Sequence, residues 1–349
     1  NVDGISDDIW KIWEEFKLPR TPHLQLSTSR LYLSTRKVKY ILCQCSSVLE
    51  KLTLSITISS IEDEKNGKKE EQQQEEHEVW PRLKTLTLKK WEDRSRSKAF
   101  WPWLWKRCDH LETLEVEQSG TSVQNLAEGM LAHMPNLSSI TLGETYWCDY
   151  KLKNNDMVTL LSSSRKGWKV VKIRYTEQLD RTAKEALAKH FHTLEVLEVR
   201  ECHGVYGDYL VQVLSSCPKL RTLAIQIGNP HPTNTSQDLR PTCLLTGILT
   251  QAYSRHGPVN SLKVLKIMVT GTHDTEPSVR ISRLTNLETL WLGYRQPYVT
   301  HPRKLRDSLE MSLESRLDKL SGLKALKELD VSSMKTRINL RELQWMIEH

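Results

Sequence analysis

The segments WPRLKTLTL (80–88), CDHLETLEV (108–116), MPNLSSITL (134–142), FHTLEVLEV (191–199), CPKLRTLAI (217–225) and LTNLETLWL (284–292) carry one pattern. In each, an apolar residue is followed three places later by a second, and two places after that by a third. The triplets are Leu83/Leu86/Leu88, Leu111/Leu114/Val116, Leu137/Ile140/Leu142, Leu194/Leu197/Val199, Leu220/Leu223/Ile225 and Leu287/Leu290/Leu292. Leu262/Leu265/Ile267 and Leu326/Leu329/Val331 add two more copies, and Leu49/Leu52/Leu54 and Trp168/Val171/Ile173 fit more loosely. Spacings from 83 to 111, 111 to 137, 168 to 194 and 194 to 220 are 28, 26, 26 and 26 residues, so the pattern is periodic.

The last two apolar residues of a triplet stand two places apart, so a short strand turns both to one face. Between copies, helical patterning is predicted over 123–134, 156–164, 182–191 and 206–217. In the third stretch Ala183, Ala186, Leu187 and His190 recur at helical spacing with charged residues between them. A single strand–helix unit cannot bury its apolar face, whereas stacked neighbours can. A period in the twenties carrying L-x-x-L-x-L is the mark of leucine-rich repeats. The expected fold is therefore α/β: a leucine-rich repeat solenoid, or horseshoe, with a parallel sheet on the concave side and helices on the convex side. Such a fold points to a binding surface and away from an enzyme.

Composition sets further bounds. At 349 residues and 38 % hydrophobic content the chain can bury a large core, and a solenoid grows by adding units, not globules. No apolar run approaches the ~18 residues that span a bilayer, so no membrane association is expected. Seven cysteines, an odd count, favour a reducing compartment, cytoplasmic or nuclear. The sequons at Asn136 and Asn234 are read as chance matches. Net charge is +7, yet 62–78 (EDEKNGKKEEQQQEEHE) holds eight acidic residues and three lysines, leaving +12 elsewhere. That stretch lacks the apolar residues needed to order itself and is expected to be a disordered acidic insert. Lys84, Lys89, Lys90, Arg94, Arg96 and Lys98 form the densest basic cluster, with Arg303, Lys304 and Arg306 a smaller one. Neither has interleaved aromatics or a groove-reading helix, so nucleic acid is not favoured as a partner.

Residues 1–35 are expected to form a helical lead-in or cap, with Ile9, Trp10, Ile12, Trp13 and Phe16 on one helical face and Pro19 and Pro22 ending it. Residues 36–349 form the solenoid, opening with a helix over 36–45. Proline- and glycine-rich stretches at 228–242 and 271–277 read as rim loops. The start at Asn1 and an unanswered helix over 340–349 suggest a fragment of a longer protein.

The six segments quoted first resemble the ribonuclease-inhibitor-like repeats of F-box leucine-rich repeat proteins. SVQNLAEGMLAHMPNLSSITLG, LVQVLSSCPKLRTL and LEMSLESRLDKLSGLKALKELDVSSMKTRI are similar, more narrowly, to a large fungal group of them. The resemblance covers most of 80–349. It implies the substrate-binding repeat region of a Skp–cullin–F-box ubiquitin ligase receptor, with Skp and cullin reached through an upstream F-box that this chain does not show. After the strand, where the family pattern expects Asn or Cys, only Cys202 matches; Ser119, Thr145, Thr176 and Thr270 stand elsewhere, so an irregular side-chain ladder is expected there.

Catalytic signatures are missing from the sequence: it has no glycine-rich phosphate loop, no G-x-S-x-G and no H-E-x-x-H. Cys43-x-Cys45 lacks zinc spacing, and His190 and His192 are better explained by a helix end before a strand. No cofactor or metal is expected. The run Trp101-Pro102-Trp103-Leu104-Trp105 reads as packing of a convex segment over an exposed docking patch. The concave face is expected to bind a protein through the polar positions between and after the inward apolar pair: Lys89, Glu115, Glu117, Lys172, Arg174, Glu198, Arg200, Gln226, Lys266 and Trp291, with Tyr294 close by. An acidic spot (Glu115, Glu117) then neighbours a basic one (Lys172, Arg174, Arg200), and Trp291 is the expected hot spot. The competing reading is an enzyme regulator, inhibitor-like or GTPase-activating, in which Arg174 or Arg200 would act on the nucleotide.

Overall fold

The computed structural model describes residues 21–59, 79–89, 92–93, 100–117, 123–143, 154–174, 179–202, 207–227, 261–269, 281, 284–293, 310–311, 317–333, 335–336 and 339–348. The expected helix around 9–16, the acidic insert 62–78, the loops at 228–242 and 271–277, and Tyr294 lie outside these residues. The chain divides into two compact units, Asn1–Trp168 and Lys169–His349. Both are α/β and built on parallel sheets.

The first unit contains β1 (His23–Ser34), α1 (Thr35–Cys45), β2 (Lys51–Ser59), β3 (Thr85–Leu88), β4 (Glu92–Asp93), α2 (Phe100–Trp105), β5 (Thr113–Val116), α3 (Val123–His133), β6 (Ser139–Leu142) and α4 (Asn154–Leu161). Its strands run β1-β2-β3-β5-β6, and β4 pairs with β2 off that path. Motif position stacks on motif position: Leu52 faces Leu86, Leu86 faces Leu114, and Leu114 faces Ile140. These four side chains are fully buried (0 % exposed), each burial contributing ~1.5–3 kcal/mol relative to exposure. The helices supply the rest of the core with residues such as Leu126, Ala127, Met130 and Leu160.

The described part of the stretch expected as a helical lead-in is a strand. In β1, Leu24 and Leu26 continue the ladder opposite Leu52 and Leu54. The motif hides there because its first apolar position is occupied by Thr21.

The second unit contains β7 (Val170–Arg174), α5 (Arg181–Ala188), β8 (Val196–Cys202), α6 (Gly207–Ser216), β9 (Thr222–Ile227), β10 (Val264–Val269), β11 (Thr289–Gly293), β12 (Glu310–Met311), a 3-10 helix (Leu317–Gly322), β13 (Glu328–Ser333), β14 (Lys335–Thr336) and α7 (Leu340–Glu348). The strand order is β7-β8-β9-β10-β11-β13, with β12 and β14 paired apart. Val171, Leu197, Leu223, Leu265, Leu290 and Leu329 form one row across the sheet. Register slips occur just past the motif, between Val199 and Cys202 and between Trp291 and Gly293. Asp180 caps α5: its Oδ1 accepts from Ala183 N–H at 2.9 Å and from the Thr182 hydroxyl at 2.7 Å. Those bonds hold its carboxyl below the usual Asp pKa.

Two local devices recur in both units. At the start of β2, β3, β5, β6, β8, β9, β10, β11 and β13, two successive N–H groups share one carbonyl of the preceding repeat, as Glu112 and Thr113 do on Lys84 and Arg221 and Thr222 do on Glu195. A turn also closes at the first motif leucine, with Leu83 N–H on Trp80 O, Leu111 on Cys108, Leu220 on Cys217 and Leu287 on Leu284. The apolar residue three places before the motif, Trp80, Cys108, Cys217 or Leu284, is therefore buried as well.

The tryptophan run is core. It forms α2, where Pro102 sits in the first turn and no helical N–H is lost. Trp101 stacks on Trp105 at 4.9 Å, Trp80 meets Trp103 edge-on at 5.9 Å, and the Arg107 guanidinium lies 4.3 Å from the Trp103 ring centre. Gly129 of α3 lies so close that a Cβ there would fall 2.4 Å from Trp105 Cδ1.

Candidate protein-binding face

Strand side chains alternate, so the residues flanking each buried leucine share the opposite, polar face of the sheet. Burial follows that alternation in β7, where Val171 and Ile173 are buried while Val170, Lys172 and Arg174 are half-exposed. The expected binding residues fall into two groups, one in each unit.

In the first unit Lys89, Glu115 and Glu117 follow or sit within β3 and β5. The Glu115 Oε2 accepts from the Thr87 hydroxyl at 2.9 Å. Lys89 Nζ lies 2.9 Å from Glu117 Oε1, with both side chains substantially solvated, so the pair is worth ~0–1 kcal/mol and neutralises half of the expected acidic spot.

The second unit brings more together. Glu198 is buried (7 % exposed) at the middle of β8. Its Oε1 sits between Arg174 Nη2 at 3.4 Å and Arg200 Nε at 2.5 Å. Arg174 and Arg200 lie opposite one another in the β7–β8 register. A carboxylate this buried is tolerated because it is paired; removing both partners would leave an isolated charge out of water. Arg174 Nε is buried and has no hydrogen-bond partner among the described residues. Lys172 stands opposite Glu198.

Two strands further on, Lys266 faces Trp291 in register, and its ammonium lies 3.2 Å from the indole ring centre. Burial there pushes the Lys266 pKa down, followed by a raising pull from Glu328 and smaller effects of Arg200, Glu198 and Asp330. Trp291 Nε1–H donates to Glu328 Oε1 at 3.0 Å, and the Thr289 hydroxyl to Glu328 Oε2 at 3.3 Å. Trp291 is thus a half-covered aromatic held in place from both sides. Gln226 lies on β9 opposite Met268. Sequence reading missed Glu328, which precedes Leu329 of the motif; the alternation that turns Leu329 toward the leucine row turns its two neighbours, Glu328 and Asp330, to this face.

The histidines diverge: His190 is buried and His192 exposed. Among the described residues no three His, Cys, Asp or Glu side chains gather as a metal site, and no helix is long and apolar enough to cross a membrane. Asn136 of the first sequon is engaged by the fold, its Nδ2 donating to Asp109 O at 3.1 Å and its Oδ1 accepting from Lys166 at 2.6 Å. No protein-family model and no curated protein matches this sequence.

Proposed function

We propose that this chain is a protein-recognition scaffold of the leucine-rich repeat type, a horseshoe whose concave sheet face holds a protein partner. The observation that carries the reading is the polar face of β7–β13. Its strands stack in register, its leucine side is buried from β7 to β11, and the opposite side presents Lys172, Arg174, Arg200, Lys266 and Trp291 half-exposed. Trp and Arg are the side chains that dominate protein interfaces. Together with the resemblance to F-box leucine-rich repeat proteins, this supports a role as the substrate-binding region of a ubiquitin-ligase receptor acting in the cytoplasm or nucleus. Arg174 and Arg200 are both held on Glu198, which argues against either serving as an arginine supplied to a nucleotide. Affinity purification of the parent protein with mass spectrometry tests the ligase part. Recovery of Skp and cullin is expected, and their absence from a folded, expressed bait would leave a scaffold without ubiquitin.

A further inference from the structure

On the polar face of the second unit, the row nearest the start of the strands is β-branched and carries no charge until its last strand. Val170, Val196, Thr222, Val264 and Thr289 stand opposite one another from β7 to β11, each half-exposed. The matching row of the first unit is His23, Lys51, Thr85, Thr113 and Ser139, without one apolar residue. Strand propensity alone therefore does not dictate valine at this position. Cations flank the row. Lys169 and Arg221 lie exposed just ahead of β7 and β9, with Glu195 between them ahead of β8, and Lys172 stands half-exposed two residues inward from Val170. None of these four makes an ion pair among the described residues, and Glu198, opposite Lys172, is already held by Arg174 and Arg200. At the far end the row passes from Thr289 to an acid, Glu328.

We propose that this row seats one amphipathic α-helix of a partner protein, laid across β7 to β11 with its apolar side on the valines and carboxylates over the β7–β9 end. Spacing decides for a helix. The row covers four strand steps, about 19 Å at ~4.8 Å per step. Four helical turns advance ~22 Å, so apolar residues at i, i+4, i+7, i+11 and i+14 keep pace with the strands. An extended peptide repeats a side only every ~6.7 Å and would run ~8 Å out of step. A helix is ~10 Å wide with its side chains, whereas Val170 and Lys172 are ~6.7 Å apart along the strand, so a helix on the row reaches the cations at both flanks. A uniformly anionic polymer fits worse, because it leaves the valines uncovered and meets Glu328. The inference rests on the recognition-scaffold reading and adds the form, polarity and seat of the bound segment.

The test is selection of a displayed random peptide library, each member about 18 residues long, on the chain, followed by anisotropy titration of the selected peptides. Enrichment of apolar residues at helical spacing, with Asp or Glu beside them, is expected, and a proline placed mid-peptide should weaken binding about tenfold or more. The triple change Val170→Thr, Val196→Thr and Val264→Thr keeps β-branching while removing the apolar stripe, and should weaken the peptides about tenfold. Lys169→Glu with Lys172→Glu should do the same at low salt and less at high salt. Thermal melting confirms that the variants are folded. Peptides that tolerate the proline, peptides indifferent to both sets of changes, a single-stranded oligonucleotide held as tightly, or no enriched peptide at all would overturn the proposal. Proline-tolerant peptides that lose affinity with Trp291→Ala would leave the scaffold reading standing; peptides held equally by every variant would remove that too.

Discussion

Gly129→Ala should destabilise the protein, although the same change in an ordinary helix interior gains ~1 kcal/mol through helix propensity. Gly129 lies within α3, and an added Cβ would meet Trp105 Cδ1 at 2.4 Å, Cγ at 2.6 Å and Nε1 at 2.9 Å. Carbon atoms pack at ~3.5–4.0 Å, so relief needs a displacement of about 1 Å or more. The indole cannot give way easily: Trp105 is 2 % exposed and stacked on Trp101 at 4.9 Å. Overfilling a tight core costs ~1–3 kcal/mol, and a contact this short belongs at the upper end. Subtracting the propensity gain leaves a net loss of about 1–2 kcal/mol. Urea unfolding followed by tryptophan fluorescence and circular dichroism measures it. Trp105→Phe frees the space, so the alanine should cost less, or help, in that background. A neutral or stabilising Gly129→Ala, or an equal effect in both backgrounds, would refute the packing argument.

Leu197→Ala should cost ~2–5 kcal/mol in the same assay, because Leu197 is fully buried (0 % exposed) between Val171 and Leu223. Normal stability would mean the inward register is wrong. Asp180→Ala should cost ~1 kcal/mol near neutral pH by leaving the α5 N-terminus uncapped. The folded-state pKa of Asp180 is depressed, so its contribution is complete above the ordinary Asp pKa of ~3.9 and fades as pH falls through the lower folded value. The gap between wild type and variant should therefore be constant from neutral pH to about pH 5 and narrow below pH 4; a constant gap at pH 2 would contradict it. Replacing Arg174 and Arg200 together by Gln should destabilise more than the triple change that also makes Glu198 Gln, since only the first strands a buried carboxylate. Equal stabilities would show Glu198 to be solvated.

The buried rows were legible because the motif's spacing forces two leucines to one strand face, and the helices over 36–45, 123–134, 156–164, 182–191 and 206–217 appear within a few residues of those bounds. β1 was not legible, since Thr21 occupies the position that a leucine would announce. Nor was α2, where six residues with an internal proline give no period to read. On the polar face, alternation located Lys172, Arg174, Glu198 and Arg200, but pairing depends on register across 24–26 residues of intervening chain and on side-chain rotamers. Hence the sharing of Glu198 by two arginines, and the cover that Lys266 and Glu328 give Trp291, emerge only in three dimensions. Trp291 looked like an open aromatic in the sequence and is a half-covered one in the fold.

The central claim is that the β7–β13 polar face recognises a protein. It is tested most directly by quantitative affinity capture from native lysate with wild type and with Trp291→Ala/Lys172→Glu, the two baits matched in melting temperature. The account predicts a discrete set of proteins retained by wild type and lost, about tenfold or more, from the variant. Identical recovery on both baits would place recognition elsewhere on the chain and contradict it.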